Sequence, residues 1–218
     1  MSLQMLRMFE QANDGIAALV ERDLAAFLAV LDFTKPAAVR DALFDFIPLL
    51  VAQYGEVAAT VAADWYDELR ALEDVGGAFS APLAAPVPDV QVKGRIGFAV
   101  RLDGPLWSGD TDTLSAFLGM MSNEYALQPG RDTVMQAAHA DNAAYARVPE
   151  PGACNFCLML ASRGFVYSKD TAGDSKKFHG KCRCNILPSW DETRARVEYG
   201  YDPDALYDQY RALKDATP

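Results

Sequence analysis

The chain has 218 residues, half of them apolar, and a formal net charge of −10. This length allows one sizeable core, or one core with a small satellite, and the acidic balance argues against phosphate binding by the whole protein. Because no run of 18 apolar residues occurs, we expect no membrane-spanning segment and no membrane partner. The N-terminus lacks the basic start and cleavage site of a secretory signal, so we expect reduced cysteines.

The N-terminal third of the chain has the periodicity of long helices. Apolar residues recur at helical spacing over residues 6–31, with Asp14–Gly15 as a possible interruption. Thr34–Pro36 predicts the next helix start, with a hydroxyl cap followed by proline in the first turn. An apolar stripe then holds a 3.6-residue period over residues 39–72, which predicts a helix that Pro48 kinks or splits.

The middle of the chain alternates between breakers and further helices. Residues 78–90 are proline-rich and are expected to form an extended linker, or an arm lying on a partner. Residues 91–103 fit both a helix and a strand, and the helix is favoured. Asp110 is predicted to cap another helix that Pro129–Gly130 closes, and residues 131–142 are predicted to form a further short helix.

The chemistry of the chain is concentrated in one cluster of cysteines. All four cysteines and one of the two histidines follow the pattern Cys154-x2-Cys157-x21-His179-x2-Cys182-x-Cys184. Two short-spaced sulfur pairs with a histidine beside the second are typical of a tetrahedral Zn²⁺ site built from two segments. We therefore predict Zn²⁺ as a structural cofactor.

Five candidate ligands are available for four positions. The preferred set is Cys154, Cys157, His179 and Cys182, with Cys184 as an alternate ligand or a neighbouring thiol. A four-cysteine site with His179 outside it is the close alternative. Four protein ligands leave no position for water, which indicates a structural site. A three-ligand hydrolytic zinc, and disulfide bonds or no ion at all, remain the other interpretations.

A small β-containing module is predicted around these ligands. Strands are expected near residues 145–149, 165–167 and 184–188, and an amphipathic helix is expected from Asp204 onward. The predicted fold class is mainly α, with a helical N-terminal bundle and a small C-terminal zinc-stapled module. The predicted units are a helical domain 1–77, a linker 78–90, a continuing helical domain 91–144, a zinc module 145–190 and a helical tail 191–218.

Residues 151–190, which form most of the predicted zinc module, are the one part of the chain with a net positive charge. Residues 151–190 have a net charge of +4, against −11 for residues 1–150 and −3 for the remainder. The basic residues beside the second sulfur pair either offset thiolate charge or contact nucleic acid or an acidic partner. They are Lys176, Lys177, Lys181 and Arg183. The first interpretation is favoured because no aromatic residues alternate with them.

Residues 148–167 and 178–184, which hold the Cys-x2-Cys and His-x2-Cys-x-Cys motifs, resemble a known family. They are similar to the phage Mu F-like minor capsid, or head morphogenesis, proteins of tailed phages, in the form found in actinobacterial phages. The resemblance is specific over residues 145–190 and looser before them. This chain has His179-Gly180-Lys181-Cys182 where the family commonly has His-Pro-Asn-Cys.

The resemblance implies a structural virion protein rather than an enzyme, and the chain has no phosphate loop, nucleophile elbow or kinase signature. It implies partners in the portal or major capsid protein, possible contact with packaged DNA, and an oligomeric state. The expected location is inside the phage head, with the host cytoplasm during assembly. The alternatives are a zinc module that binds packaged DNA and a zinc-dependent nuclease.

Overall fold

The computed structural model describes residues 2–150, 152–166 and 184–215, and within them the chain is mainly helical, as predicted. These residues form eight helices and two strands. The elements are α1 (Ser2–Ala29), α2 (Pro36–Leu72), α3 (Asp89–Ala99), α4 (Pro105–Ser108), α5 (Thr111–Ala140), β1 (Ala144–Val148), α6 (Asn155–Ala161), β2 (Asn185–Ser189), α7 (Glu192–Tyr199) and α8 (Pro203–Asp215).

The three long helices α1, α2 and α5 run through two hydrophobic clusters. One cluster contains α3, α4, the second half of α1 and the first halves of α2 and α5. The other joins the start of α1 and the ends of α2 and α5 to β1, α6, β2 and α7. In this second cluster Phe9 stacks on Trp65 with ring centroids 4.3 Å apart. The C-terminal elements therefore share a core with the long helices, which lessens the need for a core of their own.

Helix α2 is one uninterrupted helix of 37 residues with Pro48 buried inside it. Of the two predicted outcomes at Pro48, a kink or a split, the split is therefore wrong. Packing of the surrounding helix on α1 and α5 offsets the lost hydrogen bond. Among the described residues, α2 is also long and apolar enough to cross a membrane, although 56 % of its most apolar window is buried in the protein. Core helices commonly meet these two criteria, so the finding is weak evidence for a membrane span.

Helix α5 runs through Pro129 and Gly130, where a helix end was predicted. The ring of Pro129 lies against Gly55, where a Cβ would be 3.1 Å from the proline Cγ. A Cβ on Gly130 would lie 2.9 Å from the carbonyl oxygen of Ala58. These small residues let α2 and α5 approach closely, and the packing gained by a continuous helix outweighs the local preference for a break.

Two predicted details of the N-terminal helices are also wrong. Helix α1 continues through Asp14–Gly15 without interruption. Helix α2 begins at Pro36 as predicted, but its N-cap position is Lys35, with no side-chain cap. The hydroxyl of Thr34 instead donates to Asp32 at 2.6 Å, because the local turn supplies a carboxylate within reach.

The proline-rich segment lies on the chain's own helices. The backbone N–H of Ala81 donates to Asp67 at 2.9 Å, and that of Ala84 donates to Thr133 at 3.0 Å. Ala81, Ala84 and Val87 are buried. The segment is therefore attached to both α2 and α5, and the helical interpretation of the residues that follow it is confirmed by α3.

The two strands form an antiparallel pair in which Ala144 faces Ser189 and Val148 faces Asn185. This confirms the first and last predicted strands. Phe165 and Val166 are not in a strand. Phe165 is buried, and its ring packs edge to face on that of Tyr201 in the α7–α8 turn, with ring centroids 5.2 Å apart, so this packing replaces strand pairing. Tyr167 lies outside the described residues. Helix α6 begins at Asn155, directly after Cys154.

The N-cap of α5 provides a pH-dependent prediction. The carboxylate of Asp110 accepts from the backbone N–H of Thr113 at 3.0 Å, and the hydrogen bonds with Thr113 lower the pKa of Asp110 below 3.8. Its stabilising effect is therefore present above the unfolded pKa and is lost as pH falls through the folded one. We expect Asp110→Ala to lower the thermal midpoint at pH 7, by a margin that shrinks in acid. Asp112→Ala, in the same first turn, is the control, and an equal loss in both variants would contradict the cap assignment.

Candidate metal-binding module

The first sulfur pair lies at the start of α6. Cys154 is the exposed N-cap residue, and its extended backbone allows its carbonyl to accept from Leu158 at 3.0 Å. Cys157 lies in the first turn and is 2 % exposed. Residues three apart lie on neighbouring positions of a helical turn, so α6 presents two cysteines from one short segment, of which one points into the core.

Cys184 is the described cysteine of the second sulfur pair. It immediately precedes β2 and is 1 % exposed. Because β2 pairs with β1, and α6 packs on β1, the two cysteine-bearing segments meet on the same strand. Cys157 and Cys184 belong to one hydrophobic cluster. Both cysteines are therefore buried in the core that the C-terminal elements share with the long helices.

Only part of the predicted ligand set can be placed. His179 and Cys182 lie outside the described residues, as do the basic residues 176–183. Within residues 2–150, 152–166 and 184–215, no three His, Cys, Asp or Glu side chains form a group that could hold a metal ion. The zinc site therefore stays a prediction, and what the structure adds is that one cysteine of each sulfur pair, Cys157 and Cys184, is buried in the same core.

Two helices of the bundle, α1 and α5, form hydrogen bonds with the chain at Cys184 and Asn185. These contacts were not predicted from the sequence. The Nε of Arg131, in α5, donates to the carbonyl of Cys184 at 3.2 Å, and Arg131 is only 6 % exposed. The amide of Asn13, in α1, donates to the side-chain oxygen of Asn185 at 2.8 Å. Both contacts join residues more than fifty positions apart, so no local pattern could have indicated them.

A polar cluster centred on Asp141 joins α2, the end of α5 and the residue after β2. Asp141 accepts from Arg70 at 2.8 Å, from the indole of Trp190 at 3.0 Å and from Tyr66 at 3.3 Å. Arg70 also donates to the carbonyls of Val75, Gly76 and Gly77. Burial, with Asp141 beside it, raises the pKa of Tyr66 far above its usual range, so the phenol stays a neutral donor. These contacts indicate a structural role.

A second connection fixes α7 to the end of α2. The Glu73 carboxylate accepts a hydrogen bond from the phenol of Tyr199 at 2.9 Å. It also forms an ion pair with the guanidinium of Arg194 at 3.1 Å. Asp191 caps α7 by accepting from the backbone N–H groups of Thr193 and Arg194. His139 is exposed in the last turn of α5.

A cleft of about 240 Å³ opens between the start of α1, the end of β1 and the α7–α8 turn. Leu6, Val148 and Leu206 line its apolar part, while Asp202 and Gln209 supply polar groups. The oxygen of Asp202 already caps α8 through the backbone of Asp204 and Ala205. The polar edge of the cleft is therefore occupied by a helix cap, and we assign it no chemistry.

Comparison with known proteins places the chain in a family. The family model described as VG15 protein matches residues 1–213, so the match includes the helical bundle, both sulfur pairs and most of α8. No curated protein and no solved structure matches the chain. The chain thus belongs to the VG15 protein family and is a phage protein.

Proposed function

We propose that this protein is a structural minor capsid, or head morphogenesis, protein of a tailed phage. In this proposal it docks on the portal or the inner capsid and aids head assembly or DNA packaging. The observation that carries the proposal is membership, over residues 1–213, in a phage protein family. The Cys-x2-Cys and His-x2-Cys-x-Cys motifs support the finer assignment, through their resemblance to the Mu F-like family.

The proposed role of zinc is to tie two segments of the module together. Ligands would come from Cys154, Cys157, His179, Cys182 and Cys184, and the ion would supply a tetrahedral cross-link rather than a reactive centre. The buried positions of Cys157 and Cys184 support this, because thiolates shielded from water suit a closed site. The proposal accordingly includes no enzymatic step.

The assembly function is tested in the phage. We expect a nonsense mutation in this gene to abolish infectious particles, and the wild-type gene supplied in trans to restore them. Quantitative mass spectrometry of purified virions is expected to find the protein at a few copies per particle, and cross-linking is expected to join it to the portal or major capsid protein. Normal titres of the mutant, or absence of the protein from purified virions, would contradict the proposal.

Zinc content is the second test. We expect about one Zn²⁺ per chain in protein purified under reducing conditions, measured by elemental analysis. His179→Ala and Cys157→Ser are expected to lower zinc content or affinity. His139→Ala, which changes the exposed histidine at the end of α5, is the matched control and should keep full occupancy. Metal-free wild-type protein with normal folding would refute the zinc site.

The DNA-binding alternative is separated by a titration with duplex DNA at several salt concentrations. Its motivating observation is the +4 charge of residues 151–190 in an acidic chain. We expect the full chain to show no strongly salt-dependent binding, because its overall charge is −10. Tight binding that falls steeply with salt, and that is lost in a Lys176→Ala/Lys177→Ala variant, would favour the alternative.

A further inference from the structure

Helix α3 and the turn that follows it expose a surface that is both apolar and basic, which we call the α3 face. It consists of three apolar and three basic side chains, namely Val90, Phe98, Leu102, Lys93, Arg95 and Arg101. The three apolar side chains are each more than half exposed, and residues 90–102 contain no acidic residue. The guanidinium of Arg101 lies over the Phe98 ring, 4.3 Å from its centroid, so positive charge and apolar surface are presented together.

The basic residues of the α3 face have ion partners within the chain, but these pairs are at the surface. They are Lys93 with Asp89 at 3.8 Å, Arg95 with Glu124 at 3.4 Å and Arg101 with Asp103 at 3.0 Å. Exposed pairs of this kind contribute little to stability. Lys93 and Arg101, whose partner carboxylates are also exposed, can therefore turn to carboxylates of another molecule at little cost in free energy.

The backbone of α3 is open to close approach from outside. Gly94 and Gly97 lie inside this helix, where glycine is less favourable than alanine. A Cβ at either position would meet nothing within 4 Å, so packing within the chain does not require glycine there. Neither residue lies on the buried side of α3, which Val92 and Ile96 form. Their missing side chains leave room for a second helix against this one.

The outer side of α2 carries the opposite charge. Between Asp41 and Leu69 this helix has six acidic residues and no basic one. A line of exposed residues, which we call the α2 face, recurs there at spacings of four and three, which keeps its members on one side of the helix. Its members are Asp45, Leu49, Gln53, Glu56, Thr60 and Asp64. Leu49 is 70 % exposed, so this face also combines charge with an apolar group.

We propose that the α3 face of one copy of this chain docks on the α2 face of a second copy. The two faces have opposite charge and both expose apolar side chains, and protein interfaces combine charge complementarity with an apolar centre. Arginine and aromatic side chains, such as Arg101 and Phe98, are also common in such contacts. Because the two faces differ, the contact is head to tail, and its repetition generates a ring or a filament. The inference depends neither on the zinc site nor on the capsid role.

The test is sedimentation velocity of the full chain at increasing concentration. We expect the wild type to form species larger than the monomer. The net charge of −10 opposes association, so the measurement is made near physiological salt, where charges more than about 8 Å apart are largely screened. Arg101→Glu places like charges together and is expected to weaken association at least about tenfold, and Asp64→Arg is expected to do the same from the other face.

The matched control is Arg22→Glu, which changes the net charge as Arg101→Glu does but lies on α1, outside both faces. Its side chain is 65 % exposed, and circular dichroism checks that all variants are folded. Wild-type association by Arg22→Glu, with weak association by both Arg101→Glu and Asp64→Arg, would support the inference. Equal weakening by Arg22→Glu would overturn it, because net charge alone would then explain the loss.

Mixing the two variants tests the head-to-tail geometry. Arg101→Glu keeps an intact α2 face and Asp64→Arg keeps an intact α3 face, so an equimolar mixture is expected to recover association that neither variant shows alone. A monomeric wild type, or a mixture that stays monomeric, would overturn the inference. Normal association by Asp64→Arg would overturn it as well and indicate that the α3 face pairs with itself. Duplex DNA bound by a monomeric wild type and lost in Arg101→Glu would assign the face to nucleic acid instead.

Discussion

Replacement of Asp141 by alanine is expected to lower the free energy of unfolding by about 3–5 kcal/mol. The Arg70 and Asp141 side chains are only 11 % and 9 % exposed, so the variant leaves a shielded guanidinium without its counter-charge. The phenol of Tyr66 and the indole of Trp190 lose the same acceptor. Urea denaturation followed by circular dichroism at pH 7 measures the change.

An exposed ion pair provides the control for this prediction. The Nη2 of Arg40 lies 2.8 Å from the Oδ1 of Asp41, but the two side chains are 41 % and 66 % exposed. Asp41→Ala should therefore cost no more than about 1 kcal/mol. Asp141→Asn keeps an acceptor oxygen and should fall between the two. A loss below about 1 kcal/mol in Asp141→Ala would mean that the cluster does not hold α2, α5 and β2 together.

Two glycines of α5 are expected to respond to alanine in opposite directions. In Gly130→Ala the new Cβ would lie 2.9 Å from a backbone oxygen of α2, so the two helices must separate, at a cost of about 1–3 kcal/mol. In Gly119→Ala the new Cβ has nothing within 4 Å, and the higher helix propensity of alanine should stabilise by up to about 1 kcal/mol. Thermal and urea unfolding measure both changes.

The opposite signs make this pair informative. Helix propensity alone predicts stabilisation at both sites, because both lie inside one continuous helix. Only close packing of α2 on α5 predicts destabilisation at Gly130. If both variants are stabilised, the two helices do not approach closely at Ala58, and the physical reason given for a continuous helix through Pro129 is wrong.

Long, regular patterns were predicted well from the sequence. The stripe from Val39 to Leu72 became one helix, and the cap at Asp110 lies where its side chain indicated. Such signals are local, since a 3.6-residue period and a capping carboxylate act within a turn or two. Val57 was the exception in the stripe: it is 44 % exposed, because the face that α2 buries shifts along its length.

Breaks were predicted poorly, and the reason is tertiary. Pro48, Pro129 and Gly130 each favour a helix end locally, yet each lies inside a helix. A long helix that packs on two neighbours gains more by continuing than it loses at one missing hydrogen bond. The sequence around these residues contains no information on the neighbour that makes the difference.

The candidate site shows the same division. Its cysteine spacing and its charge were properties of the sequence by itself, because the identity and spacing of the candidate ligands follow from the order of the residues alone. Tertiary structure alone decided that Cys157 and Cys184 share a core, and that Arg131 and Asn13 hold the second segment. Those contacts join distant residues, and they exist only once α1, α5 and β2 have packed together.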